Sequence, residues 1–600
     1  MCGFTGWYKK NHEKKNIKII KQMTKTLKYR GPDQKGFFID KNILLGHRRL
    51  SIIDLKNGKQ PYTYKGYTIV YNGELYNTED LKNKLKEKYT FETTSDTEVL
   101  LKGYIEYKEK VLDMIEGIYA FAVYKNDKIF LARDRVGVKP LFYTKIKNNF
   151  LFASEIKALL KNNLVKPIIN KESLQELLSL SPSRIPGSGV FKNIKELRPG
   201  HYMIYENNKI NIKRYWNIKE ENIKDDYVTA TKKVEKYLTD SIKRQMVSDV
   251  DIACLLSGGL DSSIITAVVS KNKEKLDTYS IDYEDNEKYF QKTKFTVSQD
   301  NDFIRLMSKT FNTRHHYKVI TQRTLAKYLK ESVIARDLPG MADIDSSLLW
   351  FSKQIRKKHK VILSGECADE IFGGYPWFYR EEIKNREYFP WLDSIDSRSK
   401  LLKKDLQEKL KLKEFMRIQY DNILKEVPIT KNKKEQQYKN LFYLNMTYFM
   451  PTLLERKDRM TMRGSVEARV PFADTKLIEY LWNLPWEYKY HNNQEKGILR
   501  DAYKNLLPQE ITNRKKNPYP KTHNPKYTNI VTKLLKKRLK NKNSILYKIF
   551  DTEKLNELIE TKGESFDSPW FGQLMTGPQL LAFLYQIDIW ASIYKIIVEI

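Results

Sequence analysis

Cysteine is nearly absent: Cys2, Cys254 and Cys367 are the only three in 600 residues. That scarcity excludes a disulfide framework, and the spacing suits no zinc site. It leads to the expectation of a reducing, cytoplasmic setting. No uninterrupted apolar run of about 18 residues occurs, so no membrane span is expected. The most apolar stretch, Leu580–Ile600, carries Gln586, Asp588, Lys595 and Glu599 and reads as a core-packed or interface helix. The N-terminus lacks a signal-peptide core, since Lys9 and Lys10 arrive early. No Gly-Lys-Ser/Thr of the Walker type occurs, nor any internal repeat or long low-complexity tract. What abounds is positive charge, +34 formally. The lysines are spread along the whole chain, which argues for composition and against a dedicated nucleic-acid arm.

A chain this long needs at least two cores, and 41% hydrophobic residues can supply them. The first third alternates β-like runs with Gly- and Asn-rich turns: Tyr67–Tyr71, Ala120–Tyr124 and Ile129–Ala132. Helices interrupt them around Ile17–Leu27 and Thr97–Tyr107, the second with Asp96 as expected N-cap. The Lys/Glu-rich segment Lys219–Asp226 reads as a linker. After it, Val250–Leu256 reads as a buried parallel strand running into Ser257-Gly258-Gly259-Leu260-Asp261-Ser262, with a helix from about Ser263. Asp277–Tyr283 and Lys360–Ser364 are further strand candidates, and such alternation indicates an α/β domain. The remainder is mostly helical, with a Pro-rich basic loop at Asn513–Pro525.

Cys2 becomes N-terminal if Met1 is removed. Its α-amine, of pKa about 7.7–8.0, can then serve as base toward its own thiol. Arg49 can pair with a substrate carboxylate, Asp96 can meet an ammonium, and Asn72 with the Gly73 N–H can form an oxyanion hole. Each residue taken singly has an ordinary reading: a surface arginine, a helix cap, a hairpin turn. Together, Cys2-Gly3-Phe4, Arg30-Gly31-Pro32-Asp33, His47–Asp54, Asn72-Gly73-Glu74 and Ser95-Asp96 resemble the class II glutamine amidotransferases over nearly all of the first 215 residues. The resemblance implies Cys2 as nucleophile and Arg49, Asn72, Gly73, Glu74 and Asp96 as glutamine ligands. Gln34 stands where the family has Gly, a departure expected to touch none of these residues.

The Ser257–Ser262 loop lets backbone N–H groups close on phosphate at a helix N-terminus. Asp261 among phosphate ligands makes sense with a bridging Mg²⁺. The loop resembles that of enzymes cleaving ATP between the α and β phosphates. Ser364-Gly365-Glu366-Cys367-Ala368-Asp369-Glu370 resembles the companion signature of glutamine-hydrolysing asparagine synthetases. Asp458–Met462, Glu467–Phe472 and Glu495–Arg500 extend that resemblance to about residue 510. It implies ATP contacts from Leu255, Ser257, Gly258, Gly259, Asp261, Ser262, Ile281, Ser364 and Gly365. It further implies Mg²⁺ at Asp261 and Asp369, Glu366 beside the acyl-adenylate and Lys496 over the reacting carbonyl. Cys367, where many members have Gly, is read as tolerated and not nucleophilic. No chemistry is assigned after Asn513.

The expected fold is an αββα N-terminal-nucleophile sandwich at 2–216, then at 227–600 a parallel-sheet ATP-pyrophosphatase-like domain with a largely helical C-terminal part. The expected activity makes asparagine from aspartate, glutamine and ATP through β-aspartyl-AMP. No specific nucleic acid or membrane partner is expected; the assembly entertained is a homodimer. One rival keeps the machinery but amidates another carboxylate, on a cell-wall precursor, peptide or secondary metabolite. Another is a basic nucleic-acid-associated protein on a relic fold, against which intact Cys2, Asp261, Asp369 and Lys496 argue.

Overall fold

The computed structural model describes residues 2–290, 299–384, 386–566, 568–572 and 574–600. Met1, whose removal the sequence reading expects, lies outside them. Two six-stranded antiparallel sheets make up the N-terminal part. The first contains β1 (Cys2–Tyr8), β2 (Gln34–Ile39), β3 (Ile43–Arg49), β8 (Phe142–Ile146), β9 (Asn149–Ala153) and β11 (Lys195–Glu196), in the order β11-β8-β9-β1-β3-β2. The second contains β4 (Tyr62–Tyr64), β5 (Tyr67–Leu75), β6 (Gly117–Lys125), β7 (Lys128–Arg133), β12 (His201–Glu206) and β13 (Lys209–Arg214), in the order β13-β12-β7-β6-β5-β4. A short pairing joins β10 (Ile168–Ile169) to β19 (Ile597–Val598).

Strand alternation sends side chains to opposite faces and builds four layers. Phe4, Leu45 and Phe152 of the first sheet meet Val70, Ala122 and Leu131 of the second. On the outer face of the first sheet, Trp7, Leu44 and Leu151 pack on Ile20 and Met23 of α1 (Lys14–Thr26). On the outer face of the second, Tyr71 and Phe121 pack on Leu81 of α2 (Thr78–Leu85) and Val99 of α3 (Asp96–Tyr107). This is the αββα sandwich. Asn126 and Asp127, both with positive φ, make the tight β6–β7 hairpin their sequence suggests.

The third sheet is parallel, in the order β16 (Arg314–Ile320), β15 (Asp277–Tyr283), β14 (Ile252–Leu255), β17 (Val361–Leu363), β18 (Glu467–Arg469). Central β14 is covered on both faces, which explains its unbroken apolar run. Among the described residues, most of the chain beyond β17 is helical. The C-terminal helix Gly577–Tyr594 buries Leu580 through Trp590, and no helix among the described residues is long and apolar enough to cross a membrane.

Three local expectations are corrected. Asn72 and Gly73 form no turn; they sit inside β5, opposite Ala120 and Tyr119 of β6. The N-cap of α3 is Ser95, whose side chain accepts from the Thr97 N–H, which frees the Asp96 carboxylate for other partners. The helix after the phosphate-type loop, Leu260–Ser270, begins three residues early, so Asp261 and Ser262 lie in its first turn.

Candidate active sites

β1 places Phe4 and Tyr8 toward the second sheet, so by period two Cys2 points there as well. Arg49 pairs with Cys2 across the β1–β3 ladder. On β5, Val70 faces the first sheet, and Asn72 and Glu74 share its face. Cys2, Arg49, Asn72 and Glu74 therefore converge at one end of the inter-sheet space. Cys2 N donates to Asn72 Oδ1 at 3.0 Å, while Asn72 Nδ2 is buried with no partner among the described residues. Such an orphaned donor fits an oxyanion. Gly73 must be glycine, since a Cβ there would lie 2.2 Å from the Ile118 carbonyl oxygen.

Asp96 Oδ2 accepts from the Leu75 N–H at 3.1 Å and the Tyr71 hydroxyl at 2.9 Å. Burial, aggravated by Glu467 and Asp96, pushes Glu74 well above the usual carboxyl range, and burial likewise raises Asp96. An incoming ammonium would relieve both. Burial also raises the Cys2 thiol, so the sulfur needs a base to act as nucleophile. The Arg49 guanidinium is not a free fork. Nη2 donates to the Ile53 and Asp54 carbonyls at 2.8 and 2.6 Å, and Nη1 to Gln34 Oε1 at 3.0 Å. Gln34 thus touches an assigned residue, contrary to expectation, because the β2–β3 register sets it opposite Arg49.

The second site is a cavity of about 270 Å³ beside the C-terminal end of β14. Leu255, Ser257, Gly259, Asp261, Ser262, Ile281, Ser364, Gly365, Glu366, Asp369 and Lys496 all line it. Gly258 does not; it sits behind the wall against Phe303. The Ser257 N–H donates to Ser262 Oγ at 3.2 Å, curling the loop over the helix N-terminus. Gly365 packs where a Cβ would come within 2.9 Å of Asp261, so the two signature loops touch. Lys496 Nζ lies 2.6 Å from Asp261 Oδ2 and 2.6 Å from Asp369 Oδ1. Although burial opposes it, the two carboxylates hold the Lys496 ammonium well above its usual range. Glu366 takes Arg456 at 3.0 Å and Lys457 at 2.9 Å, which outweigh its burial and hold it ionised below the usual range.

Among the described residues no three or more His, Cys, Asp or Glu side chains gather as a metal cluster. Two carboxylates suit Mg²⁺, which takes few protein oxygens and completes its shell with phosphate and water, but the point on which Asp261 and Asp369 converge is held by the Lys496 ammonium, which the ion would displace. Cys254 and Cys367 are buried, and burial raises both thiols, Cys254 to about 12.

Sequence reasoning missed the basic loop. Arg514, Lys515, Lys516, Tyr519 and Pro520 line the same cavity, in the segment after Asn513 to which the sequence assigned no role. Lys516 Nζ lies 2.5 Å from Asp369 Oδ2. The signal was its density of cations and prolines, a fixed basic loop; nothing local says which face it covers.

The sites are joined through the helix Met450–Arg463. Arg30 Nε donates to the Cys2 carbonyl at 2.9 Å, and its guanidinium forks Asp458 at 2.7 and 3.1 Å. Arg456 and Lys457, the two residues just before Asp458, hold Glu366.

The asparagine synthase family profile matches residues 233–592, and the glutamine amidotransferase domain profile matches residues 1–216. The chain is 49% identical to the Bacillus subtilis (strain 168) protein called asparagine synthetase [glutamine-hydrolyzing] 3, covering all of both chains. To asparagine synthetase [glutamine-hydrolyzing] 1 of the same organism it is 32% identical, covering 87% of each. A solved glutamine phosphoribosylpyrophosphate amidotransferase from B. subtilis aligns at 18% identity and TM-score 0.28, covering 42% of this chain and 61% of that one.

Proposed function

Since this chain belongs to the asparagine synthetase family, whose members couple glutamine hydrolysis to ATP-dependent amidation, we propose that its acceptor is aspartate and its product asparagine. Cys2 Sγ attacks the glutamine amide carbon as the freed α-amine takes the thiol proton. Asn72 Nδ2 and the Gly73 N–H stabilise the oxyanion, Arg49 takes the α-carboxylate in exchange for its Gln34 contact, and Glu74 with Asp96 holds the ammonium. The α-amine hands that proton to the amide nitrogen, ammonia leaves, and water hydrolyses the resulting glutamyl thioester to glutamate and the free thiol.

At the second site an aspartate β-carboxylate oxygen attacks the α-phosphorus of ATP and pyrophosphate leaves. Ammonia, kept inside the protein and so unprotonated, attacks the acyl carbon of β-aspartyl-AMP and AMP leaves. Leu255 and Ile281 hold the adenine, the Ser257–Ser262 loop with Ser364 and Gly365 holds the phosphates, and Glu366 lies beside the acyl-adenylate. Asp261 and Asp369 would hold Mg²⁺, which supplies charge neutralisation on the phosphates. Lys496 and Lys516 neutralise the phosphates and the reacting carbonyl. The reading places the enzyme in the cytoplasm as a homodimer, which light scattering of the purified protein checks.

What supports this most is the Asp261–Lys496–Asp369 bridge in one cavity with Glu366 and the serine–glycine loop. The test incubates the protein with glutamine, ATP, Mg²⁺ and aspartate and identifies products by mass. Asparagine, glutamate, AMP and pyrophosphate are expected; ADP with phosphate, or no asparagine, contradicts the reading.

A further inference from the structure

The cavity that holds Asp261, Lys496 and Glu366 continues beyond them into an apolar annex of Tyr375, Trp377, Phe449, Leu453 and Phe571. The walls read as adenine contacts, Leu255 and Ile281, lie elsewhere, on β14 and β15. The annex follows one helix. Leu453 precedes Arg456 by three residues and Lys457 by four, and Phe449 precedes Leu453 by four. Leu453, Arg456 and Lys457 therefore lie along one side of the helix Met450–Arg463, and Phe449 ends the turn just before it. Arg456 and Lys457 hold Glu366, so the face runs from charged to apolar over about 10 Å at 1.5 Å per residue. Asn445–Phe449, just before that helix, is a π-helical turn, the irregularity that collects at functional sites.

The annex is built of rings. Phe449 stacks on Phe571 at 5.5 Å and meets Trp377 edge-on at 5.2 Å, while Tyr375 stacks on Trp377 at 4.4 Å. Trp377 Nε1 is buried with no hydrogen-bond partner among the described residues. A stranded donor is unfavourable unless an acceptor atom reaches it. Free aspartate brings one methylene and leaves this wall uncovered, whereas ligand pockets match apolar wall to apolar ligand.

Resting on the reading of this cavity as the acceptor-adenylation site, we infer that the enzyme also amidates an aspartyl side-chain carboxylate carried on an apolar or aromatic body, as in a short aspartyl peptide. The body lies along Leu453 and Phe449, and a carbonyl oxygen of the peptide accepts from Trp377 Nε1. The chemistry is unchanged: the carboxylate oxygen displaces pyrophosphate from ATP, then ammonia displaces AMP and loses a proton.

The experiment supplies wild-type enzyme with ATP, Mg²⁺ and ammonium chloride, and either L-aspartate or L-aspartyl-L-phenylalanine. AMP release and the mass of the amide are followed. The dipeptide is expected to show a kcat/KM at least equal to that of aspartate, because its apolar body adds the binding that one buried apolar group commonly gives. Leu453→Asp should lower that ratio at least about tenfold. A wild-type kcat/KM for the dipeptide below that for aspartate overturns the inference and leaves the asparagine reading standing. AMP from neither acceptor overturns both. Should Leu453→Asp fail to fold, the wild-type ratio alone decides.

Discussion

Asn72 is held in β5 with Oδ1 taken by Cys2 N and Nδ2 left buried and unpaired. Asn72→Ala removes that donor and should lower glutamine hydrolysis about 10²–10³-fold in kcat, the usual worth of one oxyanion-hole donor. Amide formation from ammonium should persist, because Asn72 lies in the other domain from the ATP cavity. Glutaminase and ammonium-dependent rates measured in parallel check this; equal loss of both would mean a folding defect. At this scale the sequence was informative. The structure brings together residues the sequence singled out: Cys2 meets Asn72, and Asp261 and Asp369 share Lys496. The Gln34–Arg49 bond was not legible, since it depends on the β2–β3 register rather than on spacing.

The basic loop 513–524 and the helix Lys171–Ser179 show how much an element's neighbours decide. Periodicity identified strands and helices, but it read Asn72-Gly73 as punctuation because burial between two sheets leaves no local trace. Nor did it show that the basic loop lines the cavity of Asp261, Lys496 and Asp369, where Lys516 meets Asp369. Lys516→Ala should slow ATP-dependent amidation by about 10²-fold, as expected for losing one preorganised charge, and leave glutaminase unchanged. A pyrophosphate-release assay checks it; an unaffected rate would remove Lys516 from the site. Glu176, in Lys171–Ser179, accepts from the Ile185 N–H at 2.8 Å and Ser188 Oγ at 2.5 Å. Burial raises it to about 7, with Glu196 adding to the effect and Arg184 opposing it. A raised folded-state pKa means the fold keeps the proton. Stability is therefore fully present below about 4.5 and falls as pH rises toward 7, by on the order of 3 kcal/mol. Glu176→Gln should abolish that decline, so denaturant melts at pH 5 and 8 should differ less in the variant. Identical pH dependence in both proteins would refute the assignment.

Across the whole molecule, the two motif sets made the domain order legible, but not how the domains meet. Arg30 and Asp458 are 428 residues apart and share a buried fork, joined nearby by Glu155 with Arg459 and Arg184 with Glu455. Removing one member of such a buried network strands its partner, so the network holds the interface more by mutual dependence than by net gain. It also ties Cys2, through Arg30 and Asp458, and Glu366, through Arg456 and Lys457, to neighbouring residues of one helix, Met450–Arg463. The account rests on two sites, one releasing ammonia and one consuming it. The most direct measurement compares Cys2→Ala with the wild type, using ATP and aspartate with either glutamine or an ammonium salt at alkaline pH as nitrogen source. Losing a covalent nucleophile typically costs several orders of magnitude. Glutamine-dependent amide formation should therefore collapse, while ammonium-dependent formation should stay near the wild-type rate. Glutamine-dependent formation at the wild-type rate in Cys2→Ala would contradict the account.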